Sequence, residues 1–135
     1  MSELNKIATK ILDNGKGILA ADESTGTMTK RLQSVNVEST PENRILFRET
    51  LFSSKGMTDC IGGVILFNET INQKTNGGKE VSKLLAEMGS LTGIKVDAGA
   101  KQLSGSPKEK ITEGLDGLRE RLKEYYRIGA RFTKW

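Results

Sequence analysis

The chain has 135 residues, 36% hydrophobic and 28% charged, with a net charge of +4. That composition suits one soluble globular domain and excludes a disordered chain, and no apolar run approaches the roughly 20 residues needed to cross a bilayer. Histidine is absent and Cys60 is the only cysteine, so an intrachain disulfide is excluded and any chemistry must rest on Lys, Asp, Glu, Ser and Thr.

In chain order, residues 3–13 read as an amphipathic helix, because Leu4, Ile7, Ala8, Ile11 and Leu12 recur at helical spacing on one face. Asn14-Gly15-Lys16-Gly17 ends it, with glycine where a left-handed cap is wanted. The run Gly17-Ile18-Leu19-Ala20-Ala21 does not alternate, as expected of a strand covered on both faces. Thr40-Pro41-Glu42 starts a helix, threonine capping and proline at the first helical position. Its buried face is expected at Leu46, Phe47, Leu51 and Phe52. Ile61-Gly62-Gly63-Val64-Ile65-Leu66-Phe67 is a second buried strand, and Cys60 before it reads as a small, inert core residue.

Val81, Leu84, Leu85 and Met88 mark a short helix, and Gly93-Ile94-Lys95-Val96-Asp97 a third, more polar strand. The glycine-rich stretches 76–78 and 99–105 read as loops. Leu115, Leu118, Leu122 and Tyr125 mark a longer helix that stops at Gly129, and Ala130-Arg131-Phe132-Thr133-Lys134-Trp135 begins a fourth strand. Strands and helices alternate, which predicts a parallel α/β sheet. A final strand with no covering helix would leave an edge unpaired, which suggests a missing remainder.

The pI of about 9.2 invites a nucleic-acid reading. The basic residues are interleaved with acids, however, and Tyr125 and Tyr126 sit in an amphipathic segment, not on a stacking platform. Handling phosphorylated sugars uses the same charge better. Glu3, Lys6, Lys10 and Asp13 interrupt the place where a secretory signal core would sit, and the cysteine usage fits a reducing cytoplasm.

Chemistry in parallel sheets collects where the carboxyl ends of strands converge. There the sequence places Asp22-Glu23-Ser24-Thr25-Gly26-Thr27, Asn68-Glu69-Thr70, Lys95 with Asp97, and Lys134. Asp22 and Glu23 would also suit a cap on a helical turn over Met28–Leu32, and Ser24 and Thr27 could either cap it or bind phosphate oxygens at its start. Lys95 and Lys134 lie within apolar strands, so each ammonium needs an anionic partner. That partner is either a structural carboxylate (Asp22, Glu23 or Asp97) or a bound anion. Gly15-Lys16-Gly17 lacks the spacing of a Walker loop.

The string Gly15-Lys16-Gly17-Ile18-Leu19-Ala20-Ala21-Asp22-Glu23-Ser24-Thr25-Gly26-Thr27 resembles the first-strand motif of class I fructose-bisphosphate aldolases. The resemblance continues through Lys30-Arg31-Leu32, Glu42-Asn43-Arg44 and Cys60-Ile61-Gly62-Gly63-Val64-Ile65-Leu66-Phe67. Gly93-Ile94-Lys95-Val96-Asp97, Gly114-Leu115-Asp116-Gly117-Leu118 and Lys134-Trp135 complete it. It implies an α/β fold, a partial (β/α)8 barrel in which these are strands one to four, with residues 1–135 forming the N-terminal half as a single domain incomplete at the C-terminus.

The activity implied is metal-independent, cofactor-free cleavage of fructose 1,6-bisphosphate to dihydroxyacetone phosphate and glyceraldehyde 3-phosphate through a Schiff base. By position Asp22 would orient the substrate hydroxyl, Glu23 would belong to the carboxylate–lysine network, and Lys134 would support proton transfer. Ser24, Thr27 and Lys95 would bind one phosphate, with Arg31 contributing to substrate binding. Two departures stand out. Ala98 occupies a position where the family commonly has lysine, and the Schiff-base lysine, the general-base glutamates and the loops for the other phosphate would lie beyond residue 135. A full barrel needs about 250 residues, so the chain alone is expected to be inactive. The implied setting is cytoplasmic, with a sugar-phosphate substrate, homo-oligomeric association, and neither nucleic acid nor membrane as partner. A non-catalytic sugar-phosphate-binding half-barrel that self-associates is the alternative.

Overall fold

The computed structural model describes residues 2–135. Helix α1 (Glu3–Leu12) starts where the Ser2 hydroxyl accepts the Asn5 amide at 3.3 Å. It ends in a short 3-10 turn in which Asn14 takes a left-handed backbone, φ 55°. Strand β1 (Gly17–Ala21) follows, then α2 (Thr25–Gln33), α3 (Pro41–Phe52) and the one-turn α4 (Met57–Cys60). Beyond them come β2 (Ile61–Leu66), α5 (Asn68–Ile71), α6 (Val81–Glu87), β3 (Leu91–Lys95), β4 (Ala100–Leu103), β5 (Ser106–Thr112), α7 (Leu118–Arg127) and β6 (Ala130–Lys134).

Strands β1, β2, β3 and β6 form one sheet in that order, every pairing parallel. This is the expected parallel α/β arrangement, with the four strands side by side in chain order and only the β4–β5 hairpin intervening. One face carries the main core. Ala21, Val64, Leu66, Ile94, Val96 and Ala130 pack there against Ile45, Phe52, Ile71, Val81, Leu85 and Tyr125 of the covering helices. Phe52 and Leu85 are fully buried, each contributing about 1.5–3 kcal/mol by leaving water.

Because side chains alternate along a strand, residues between those core positions point to the opposite, inner face. Gly63 and Gly93 lie there, and the Phe132 ring occupies the space they leave: a Cβ on Gly93 would stand 2.4 Å from that ring. Near the start of β2, Gly62 lets α1 approach so closely that a Cβ would fall 1.9 Å from the Ile11 carbonyl oxygen.

Several expectations are corrected. Of the α1 stripe only Ile11 is buried, while Leu4 and Leu12 are exposed. The buried face of α3 is Arg44, Ile45, Arg48 and Phe52, with Leu46 and Leu51 outside. Two buried arginines displaced the expected aliphatic face because they reach polar groups at the strand ends, described below. Cys60 is exposed, not in the core; Met57 takes the inward position of α4. Leu115 is exposed and precedes α7, which begins at Leu118.

Stretch 99–105, expected as a loop, lies in an antiparallel hairpin of β4 and β5 turning at Ser104-Gly105, with Gly105 at φ 77°. The hairpin has no buried face, so its residues show no period-2 hydrophobic signal. Stretch 76–78 remains a loop, bracketed by a bridge between Lys74 and Glu80.

Candidate active site at the carboxyl ends of the strands

Strand register determines which polar residues meet. Ala21 pairs with Leu66, Leu66 with Ile94, and Lys95 with Lys134. Asp22, one residue past β1, therefore stands at the same level as Phe67, Lys95 and Lys134, on the inner face at the carboxyl rim. Strands β1 and β6 are the two edges of the sheet and do not pair. Even so, the Lys134 ammonium donates to the Asp22 Oδ2 at 2.6 Å. A flat sheet would hold them three strand spacings apart, roughly 14 Å. The sheet must curl to close that gap.

The Asp22 side chain is 9% exposed and that of Lys134 42%, so the pair opens to water on the lysine side. Lys95 sits beside Lys134 in register and makes no ion pair among the described residues. Neighbouring like charges repel, and Asp22 offsets only one of them. A groove lined by Phe67, Lys95, Asp97, Glu113 and Tyr125 opens beside this cluster.

Glu23 turns away from Lys134. It pairs with the Arg31 guanidinium from α2 and lies 3.5 Å from the Arg48 Nη2. Ser24 is the cap of α2: its hydroxyl accepts the Thr27 amide at 3.3 Å and lies 3.1 Å from the Thr27 hydroxyl. Neither Asp22 nor Glu23 caps. Asp22, Lys95 and Lys134 thus form one cluster and Ser24 with Thr27 a second, while Glu23 and Arg31 pair beside them. No hydrogen bond joins Lys95 to Ser24 or Thr27 among the described residues.

Sequence reasoning missed the contacts of a supporting layer. Arg44 and Glu69 form a two-pronged pair, Nε to Oε2 at 2.9 Å and Nη2 to Oε1 at 2.5 Å. The hydrogen bonds from Arg44 hold the Glu69 carboxyl below the usual glutamate range, and Glu69 in return raises Arg44. Arg44 also donates to the Ser39 carbonyl at 2.6 Å, tying down the segment before α3. Burial lowers the Arg48 value, with the nearby glutamates opposing. Tyr125 donates to the Asn68 side chain at 2.9 Å, linking α7 to α5. The available signal was the 44, 45, 48, 52 spacing, which places both arginines on one helical face with Ile45 and Phe52.

Comparison with known proteins places this geometry in context. The family model described as Glycolytic, fructose-bisphosphate aldolase class-I, matches residues 3–135. A protein of Xanthomonas campestris named probable fructose-bisphosphate aldolase class 1 is 51% identical over 135 residues, covering 100% of this chain and 40% of the relative. The Arabidopsis thaliana protein named fructose-bisphosphate aldolase 5, cytosolic, is 55% identical over 133 residues, 98% of this chain and 37% of its own length. Among solved structures, the Plasmodium falciparum fructose-bisphosphate aldolase, crystallised with TRAP and a small-molecule inhibitor, superposes with a TM-score of 0.94 at 50% identity. The match covers 98% of this chain and 38% of that one. The chain spans about two-fifths of the length of these relatives. With a family model matched across residues 3–135, the chain belongs to the class-I fructose-bisphosphate aldolase family.

Proposed function

We propose that this chain supplies the first four strands of a Schiff-base aldolase, and with them part of the site that cleaves fructose 1,6-bisphosphate to dihydroxyacetone phosphate and glyceraldehyde 3-phosphate. The observation that carries this reading is the Asp22–Lys134 pair bridging the outer strands of the sheet, with Lys95 in register beside it. A carboxylate and an ammonium in direct contact at 2.6 Å can bind a substrate hydroxyl lying against both and pass a proton. Lys95 offers an uncommitted positive charge for one phosphate. The first turn of α2, entered at Ser24, leaves backbone amides without intrahelical acceptors, and such a terminus favours anions. Ser24 and Thr27 add hydroxyls there, and the half-exposed Arg31 can leave Glu23 to meet the same phosphate.

The carbanion formed on cleavage is stabilised in this family by a protonated Schiff base acting as electron sink. The chain spans about two-fifths of its relatives' length; in this reading the lysine that forms the Schiff base belongs to the remainder of such an enzyme, and residues 1–135 bind and orient substrate. Residues 1–135 act as one domain, in a cytoplasmic setting and as part of an oligomer. A relative's name includes "cytosolic", and no helix among the described residues is long and apolar enough to cross a membrane.

Titrating isotope-labelled chain with fructose 1,6-bisphosphate tests this. The expected result is amide shifts at Asp22, Ser24, Thr27, Lys95 and Lys134, with no triose phosphate released. Unmoved rim signals at millimolar ligand, or a borohydride-trapped adduct on Lys95 or Lys134, would overturn it.

A second reading is a non-catalytic, self-associating sugar-phosphate binder. Ile18 is 47% exposed on the inner face, and Trp135 is 51% exposed. Such a surface favours pairing with a second copy.

A further inference from the structure

Asp22 needs an explanation for its own placement. It follows the last residue of β1, where ladder hydrogen bonds stop, yet it is 7% exposed and aimed at an ammonium 112 residues away. Arg48 of α3 lies behind it. That side chain is 1% exposed; its Nε donates to the Ala21 carbonyl at 3.1 Å and its Nη2 to the Glu23 carbonyl at 2.6 Å. The same Nη2 lies 3.5 Å from the Glu23 carboxylate. The two accepted bonds flank Asp22 on either side.

We propose that Arg48 is a positioning residue for Asp22: its guanidinium spans the carbonyls of Ala21 and Glu23 and so fixes the backbone that turns the Asp22 carboxylate toward Lys134. The role of that carboxylate in the reaction rests on the aldolase reading; the positioning itself does not.

Three physical points support the assignment. A planar guanidinium with donors in a fixed fork can hold two carbonyls at a set spacing, which a lysine ammonium on a flexible stem cannot. Burying a charge without a matched partner is costly, and Arg48 shares Glu23 with the exposed Arg31 instead of having its own carboxylate. One of its amino groups, Nη1, is buried with no hydrogen-bond partner. An arginine buried there with an unmet donor uses its remaining donors on the two carbonyls, a contact a hydrophobic residue would not supply. By contrast Arg44, one turn earlier on the same helix, has a two-pronged carboxylate partner and donates its hydrogen bonds to Glu69 and Ser39 instead of to the residues flanking Asp22.

The test reads Lys134 directly. The full chain is acylated briefly with a water-soluble ester, and the extent at each lysine is measured by peptide mass spectrometry. An ammonium held by a carboxylate reacts slowly. Asp22→Asn sets the released rate, expected at about threefold above wild type, the span a half-exposed ion pair supports. Arg48→Lys and Arg48→Met should raise Lys134 acylation toward that rate while Lys83 and Lys108 stay unchanged. Arg44→Met, a loss of similar size on the same helix, should leave Lys134 slow.

A Lys134 rate equal to wild type in folded Arg48→Lys overturns the proposal. So does a uniform rise at every lysine in both Arg48 variants, which would make Arg48 a stability residue only. Affinity for fructose 1,6-bisphosphate is measured in parallel. If wild-type chain shows none while Arg48→Lys still releases Lys134, the enzymatic reading fails and the positioning stands.

Discussion

Lys134 and Asp22 are unequal partners, and their unequal burial sets the cost of losing either. Removing the ammonium strands a nearly buried carboxylate, whereas removing the carboxylate returns a half-exposed ammonium to water. Lys134→Met should therefore destabilise by about 1–3 kcal/mol and Asp22→Asn by less than about 1 kcal/mol, read from urea unfolding at neutral pH. Equal costs, or the reverse order, would refute this account. Glu69 makes a pH-dependent contribution. Arg44 depresses its folded value below the ordinary 4.5, so its stabilisation is present above that value and is lost as pH falls through the depressed one. The unfolding midpoint of Glu69→Gln should lie below wild type at pH 7, and the gap should narrow progressively as pH falls below 4.5. A gap that persists in acid would point to packing instead. The lysines were legible in the sequence because a cation inside an apolar strand demands an anion. Arg48 was not, since an arginine in a helix ordinarily lies on the wet face and nothing nearby in the chain says what it reaches.

Among the elements, those with a strong hydrophobic period were legible and those defined by polar contacts were not. Strands β1 and β2 read directly as unbroken apolar runs, and β3 (Leu91–Lys95) as a more polar one placed two residues late. The β4–β5 hairpin left no trace because both its faces are wet, and the face of α3 was misassigned because Arg44 and Arg48 occupy positions that aliphatic residues usually fill. The docking of α1 depends on a feature of its partner, Gly62, more than on its own stripe. Gly62→Ala would bring a Cβ to within 1.9 Å of the Ile11 carbonyl oxygen, backbone against backbone, so no rotamer change relieves it. A loss of about 1–3 kcal/mol follows, together with faster amide exchange across residues 3–12 measured by hydrogen–deuterium exchange. Gly26→Ala in α2, where nothing lies within 4 Å of the new Cβ, should instead be neutral or stabilising by up to about 1 kcal/mol. If Gly62→Ala left α1 as protected as in wild type, the close approach would not be what seats that helix.

At the scale of the whole molecule, alternation of strands and helices was enough to foresee a parallel sheet, and the resemblance supplied its order. The curl that brings β1 toward β6 came only with the resemblance to a barrel, because it arises from twist accumulated over four strands, which no local pattern encodes. That curvature makes an inner face whose first strand carries the exposed Ile18. Sedimentation velocity should show association that grows with concentration, and Ile18→Lys should shift the population toward monomer. A concentration-independent monomer at high micromolar protein would count against the self-associating reading.

The contact between residues 22 and 134 also has a consequence in time. A ribosome delivers the acid first and its counter-charge 112 residues afterwards, so the mouth of this sheet waits, unneutralised, until β6 has emerged. A nascent chain stalled anywhere short of β6 would carry an unmatched carboxylate where the folded sheet carries a latch.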